Sequence, residues 1–184
     1  MNDHPTPLHN SIVEGVHGLV TQLASAVIGT TFNQYTASPR LRERLAAYLE
    51  SRRDASILLV GEAAGYRGAR VSGIAFTSER QLSGTGPAEA SATIVHRTLS
   101  ELGLSEEVLL WNLVPTHPGT ERSNRRPTRL EIAAARPFLA ELAGGRRLIP
   151  VGRLAQAELG GHYVRHPAHG GGRDFRAGLL QVLA

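Results

Sequence analysis

The run Ile57-Leu58-Leu59-Val60, broken at Gly61, limits the possible folds of this chain more than any other feature. Four apolar residues ahead of a glycine-bearing loop read as a short strand buried on both faces, as in a parallel sheet. Such a strand needs helices on either side, and the rest of the chain supplies them. Between residues 9 and 28, Ile12, Val13, Val16, Leu19, Val20, Leu23 and Val27 recur at helical spacing. Ser38-Pro39 opens another helix, with Leu41, Leu45 and Leu49 inward. Residues 108–114, 147–151 and 162–165 read as three more strands. The helices between them place Ile94, Thr98, Leu99 and Leu102, then Leu130, Ala134, Phe138 and Leu142, toward the sheet. A short helix near 154–159 and a terminal one from Arg173 complete the alternation. The expected fold is α/β: a three-layer α/β/α domain over residues 1–184 with a central, mostly parallel four-stranded sheet. The first ten or so residues, polar and proline-bearing, read as loose.

In such a fold the loops that leave the carboxyl ends of the strands gather at one edge, where ligands bind. Three of these loops carry Glu62, Asn112 and His166. The topology alone therefore predicts a site there. His96 reads as a surface or packed histidine and Trp111 as core.

Composition narrows the chemistry. The chain has no cysteine, which removes disulfides, thiol nucleophiles and thiolate metal sites. It has no lysine either: all 20 basic residues are arginine, so no side-chain amine can form a Schiff base and no P-loop is possible. His162, His166 and His169 lack acids at ligand spacing, and no metal is expected. The net charge of +4 is compatible with a polyanionic partner. No apolar run approaches the about 20 residues of a membrane span, and no secretion signal is visible, so a cytoplasmic location is expected.

The block GEAAGYRG…GIAFTSER resembles the first motif of the uracil-DNA glycosylase superfamily, nearest the bacterial branches with a G-E-A-P-G signature. His166-Pro167-Ala168 resembles the second motif, usually His-Pro-Ser. Trp111-Asn112-Leu113-Val114-Pro115 falls between them, where the family keeps its base-reading asparagine. The resemblance covers roughly residues 55–176. It implies hydrolysis of the bond between deoxyribose and uracil, which puts positive charge on the sugar and negative charge on the departing base. His166 then stands where the family donates to the base, and Asn112 where it reads uracil N3–H and O4. Phe76 stands where it stacks the base, although Ala75 replaces the usual proline. Glu62, the one carboxylate in the first turn of the first-motif loop, is the expected catalytic partner of His166, positioning the attacking water or stabilising the sugar cation. Ala63 occupies the position of a better-known aspartate, and Tyr66 is the nearest candidate to exclude thymine, since Gly68 stands where an acid is looked for. No cofactor is expected, because the cysteines of the iron–sulfur branch are missing.

Arg70, Ser78, Arg80, Arg125, His169 and Arg173 are the expected DNA contacts. The expected partner is uracil-containing DNA, single- or double-stranded, met by a monomer without membrane attachment. Lacking lysine, the enzyme would leave an abasic site and not nick the strand. Two other readings stay open: a glycosylase for another deaminated or modified base, and a DNA-binding module of the same fold without catalysis.

Overall fold

The apolar run forms the middle strand of a parallel sheet. The computed structural model describes residues 7–184, with side chains from Gly15 onward. It opens with α1 (Pro7–Ser25), α2 (Gln34–Ala37) and α3 (Pro39–Ser51), followed by the strand β1 (Ile57–Ala63). Two short helices, α4 (Ala69–Ser72) and α5 (Glu79–Ser83), lie in the loop after β1 and lead to α6 (Ala90–Glu101) and β2 (Val108–Val114). A small hairpin, β3 (Gly119–Thr120) and β4 (Ser123–Asn124), precedes α7 (Arg129–Ala143), β5 (Arg147–Pro150), α8 (Arg153–Leu159) and α9 (Gly172–Leu183). No helix among the described residues is long and apolar enough to cross a membrane.

The sheet runs in the order β2-β1-β5, all parallel. Alternate residues of its strands serve two cores. Leu58 and Val60 of β1, with Leu109, Trp111 and Leu113 of β2, pack under α1, α3, α7 and α8. Ile57 and Leu59, with Val108, Leu110 and Ile149, pack under α6 and α9 through Val95, Leu99, Phe175 and Leu179. This is the period of two expected of strands, with both faces covered. Leu58, Leu59 and Val60 are fully buried, each contributing roughly 1.5–3 kcal/mol of transfer free energy. The outer edge of β2 is closed by Tyr48, whose hydroxyl accepts the Leu110 N–H at 2.7 Å.

Local chemistry explains where the elements start. The Ser38 side chain accepts the Leu41 N–H and Pro39 occupies the first turn of α3. Thr128 and Glu131 form a reciprocal capping box at the start of α7.

Three expectations need correction. The fourth strand is a single parallel bridge, Val151 to Val164. Gly160 and Gly161, both at positive φ, precede it and Pro167 follows, so extended pairing has no room to continue. On α7, Leu130 is 81% exposed and Ala134 is also exposed, while Ile132, Ala135, Phe138, Leu139 and Leu142 face the core. The capping box buries Glu131 and fixes the rotation of the helix, which turns residue 132 inward and residue 130 out. At the start of the chain, residues 7–10 belong to α1 where loose chain was expected; residues 1–6 lie outside the described residues.

Candidate active site

In the order β2-β1-β5, the chain leaves β1 for one side of the sheet and returns to the other, so the carboxyl end of β1 is a topological switch point. A cavity of about 390 Å3 opens there, within the range of roughly 300–1,000 Å3 usual for small-ligand sites. Glu62, Ala63, Phe76, Asn112, Arg125, His166 and His169 all line it. The three strand-end loops singled out by topology therefore do converge.

Strand register sets the floor of the cavity. Gly61 of β1 lies beside Asn112 of β2. A Cβ on Gly61 would collide with the Phe76 ring and stand 2.7 Å from Asn112 Oδ1. Only glycine lets ring and amide close over this strand end. Asn112 itself is buried.

Phe76 is held at φ +52°, a left-handed conformation that is costly for an aromatic residue and must be imposed by its surroundings. The segment is held by Ser72, whose hydroxyl donates to the Thr77 carbonyl at 2.6 Å, and by a histidine that reads in sequence as a surface or packing residue. The His96 ring bonds the Phe76 backbone, and its Nε2 lies 2.9 Å from the Thr77 hydroxyl. Burial holds His96 below its ordinary pKa.

His166 follows the Val164 bridge. Its Nδ1 accepts the Ala168 N–H at 3.1 Å. An accepting Nδ1 carries no proton, so the neutral ring must carry its proton on Nε2. Burial first, then the neighbouring charge of His169, lower its pKa from the ordinary 6.5 and favour that neutral form. The Phe76 and His166 rings lie 6.1 Å apart at 32°. His169, exposed at the rim, is itself at φ +53°.

Two carboxylates line the cavity. Glu62, at the end of β1, is half-buried; burial raises its pKa against the lowering charge of Arg126. Glu89, the N-cap residue of α6, is the other, with Ser91 beside it. Burial raises Glu89 too, opposed by the hydrogen bond from Ser91. Nothing in the sequence marked Glu89, because an acid at a helix start usually does no more than complement the helix dipole.

The far rim is a braced hairpin. Arg125 donates to both carboxylate oxygens of Glu131 at 2.6 and 2.8 Å, and to the Thr30 hydroxyl at 3.0 Å. Asn124 Oδ1 accepts the Tyr66 N–H at 2.9 Å. The buried His117 ring links the carbonyl oxygens of Ala64 and Thr120 at 2.7 and 2.8 Å, tying the hairpin to the loop after β1.

Several of the other expected residues lie outside the cavity lining. Tyr66 does not line the cavity; its ring sits under the Arg67 guanidinium, 5.3 Å from the centroid. Arg70 pairs with Glu121 at 3.1 Å and lies over Phe32. Ser78 is fully buried and its hydroxyl donates to Gln81, so it offers nothing to a phosphate outside. Arg80 is exposed and donates to the Gly86 carbonyl, and Arg173 is exposed on α9. Among the described residues no group of three His, Asp or Glu side chains is arranged to hold a metal ion.

The family model of the uracil DNA glycosylase superfamily matches residues 49–182, which contain every strand of the sheet and every predicted catalytic and base-binding residue. The chain belongs to the uracil-DNA glycosylase superfamily. Its fold agrees: the crystal structure of wild-type SMUG2 from Pedobacter heparinus superposes with a TM-score of 0.66. That match is 13% identical in sequence and covers 91% of this chain and 96% of that one. No curated protein matches the chain. Membership in the superfamily supports the class of activity, hydrolysis of N-glycosyl bonds in DNA by a DNA glycosylase.

Proposed function

We propose that this member of the superfamily excises uracil from DNA, single- or double-stranded, as a monofunctional glycosylase. The observation that carries the reading is the fixed tautomer of His166 in the same cavity as Asn112 and Phe76. An everted uracil would stack on Phe76 and present N3–H and O4 to the Asn112 amide, which offers one acceptor and one donor. Cytosine offers the opposite pattern at those two atoms.

The bond between C1′ and N1 then breaks, and its electron pair leaves with the base. His166 Nε2–H donates to uracil O2 and stabilises the anion without transferring its proton. Such a preorganised donor is worth about 100- to 1,000-fold in rate. A water molecule bonds to C1′ on the opposite face. Glu62 orients it, and its proton passes to the carboxylate or to solvent. The products are free uracil and an abasic site, and no side-chain amine is present to continue to strand cleavage.

The test is release of free base from oligonucleotides carrying uracil, hypoxanthine or a 5-substituted uracil. Uracil released by the wild type, and at least 100-fold more slowly by His166→Ala with binding retained, supports the reading. Release of another base in its place moves the substrate assignment, and binding without any release leaves a DNA-binding module.

A further inference from the structure

The uracil reading leaves one wall of the cavity unassigned, and Glu89 occupies it. Its carboxylate reaches over the loop after β1. A Cβ on Gly65 would stand 2.5 Å from Glu89 Oε1, and one on Gly68 would overlap Oε2. The carboxylate thus fills the space beside both glycines that side chains from that loop would otherwise take. Among the described residues no basic side chain forms an ion pair with Glu89; its side-chain partner is Ser91. A half-buried acid with no cation is costly to keep. This acid bears that cost while lining the cavity.

The base pose proposed above leaves one edge of uracil without a partner. Uracil has three polar positions in its ring plane, O2, N3–H and O4, and these are assigned to His166 and Asn112. The edge that remains carries C5–H and C6–H. A carboxylate oxygen accepts such polarised C–H groups weakly. It does not tolerate a methyl group at C5, which would have to push it off Ser91 and bury it against hydrocarbon. Tyr66, the residue the sequence offered for this task, lies outside the cavity lining.

We propose that Glu89 determines specificity at the 5-position of the base, admitting hydrogen and excluding a methyl group. This inference rests on the base-excision reading above. A single methyl group is worth roughly 10- to 200-fold in discrimination by a shaped pocket.

The experiment measures kcat/KM for thymine and for uracil, each opposite guanine in the same duplex, with the full chain. Glu89→Ala opens the wall. Glu89→Ser does the same while keeping a good N-cap residue for α6, which guards against a folding defect. Glu89→Gln keeps the bulk. The thymine-to-uracil ratio is expected to rise at least about tenfold in the Ala and Ser variants and to stay within about threefold of wild type in the Gln variant. A wild type that releases uracil, with Ala and Ser variants whose ratio does not move, overturns the role of Glu89 and leaves base excision standing. A wild type that binds these duplexes and releases neither base overturns both.

Discussion

Replacing Glu131 by glutamine tests whether the bracing of the hairpin beside the cavity is electrostatic. The Glu131 carboxylate is 2% exposed and accepts from Arg125 twice, from the Thr128 N–H at 2.8 Å, and from Thr30. The hydrogen bonds from Arg125 are the largest cause of its lowered pKa, which falls from the ordinary 4.5 to about 2. At about 1.4 kcal/mol per pH unit that drop corresponds to roughly 3 kcal/mol. The Arg125 side chain is 37% exposed, so water screens part of the attraction and about 2 kcal/mol remains. A carboxylate with a lowered folded-state pKa stabilises the fold above its unfolded value, and that stability is lost as pH falls through the folded one. The gap between wild type and Glu131→Gln is therefore about 2 kcal/mol at pH 7, begins to shrink below pH 4.5, and nearly closes toward pH 2. Urea unfolding followed by circular dichroism at pH 7, 4.5, 3 and 2.5 measures it. A gap under about 0.5 kcal/mol at pH 7, or one that stays constant down to pH 2.5, refutes the reasoning.

Three further outcomes follow from the site. Uracil release should persist below pH 6.5 and then fall as His166 gains its second proton, because burial and His169 lower its pKa; a loss of activity centred above 6.5 in a pH–rate profile would contradict this. Gly61→Ala should cut release at least about tenfold, since its Cβ displaces the Phe76 ring or the Asn112 amide; steady-state kinetics on uracil oligonucleotides check it. Phe76→Ala should weaken binding of uracil-containing single strands by about 30-fold, from the middle of the roughly 1–3 kcal/mol that one base–aromatic stack contributes, as read by fluorescence anisotropy.

The parts of this molecule that were legible in sequence are those set by local pattern. The strand at residues 108–114, the Ser38 cap and the loop glycines all follow from spacing and residue type. Asn112 and His166 were legible because topology alone brings strand ends together. The features that were not legible depend on distant partners. Arg125 reads as a free cation until the fold sets Glu131 against it. Leu130 reads as core until the capping box rotates α7. Glu89 gives no sign of itself, because the glycines it packs over lie more than twenty residues earlier in the chain.

Trp111 and Asn112 are adjacent on β2 and so point to opposite faces of the sheet. The indole is wedged among the helices on one side while the amide lines the cavity on the other. Among the described residues the largest fully buried side chain thus shares a strand with the amide that lies beside Gly61. Repacking around that indole would move the amide as well, so this strand cannot be made sturdier or looser without reshaping the wall of the cavity.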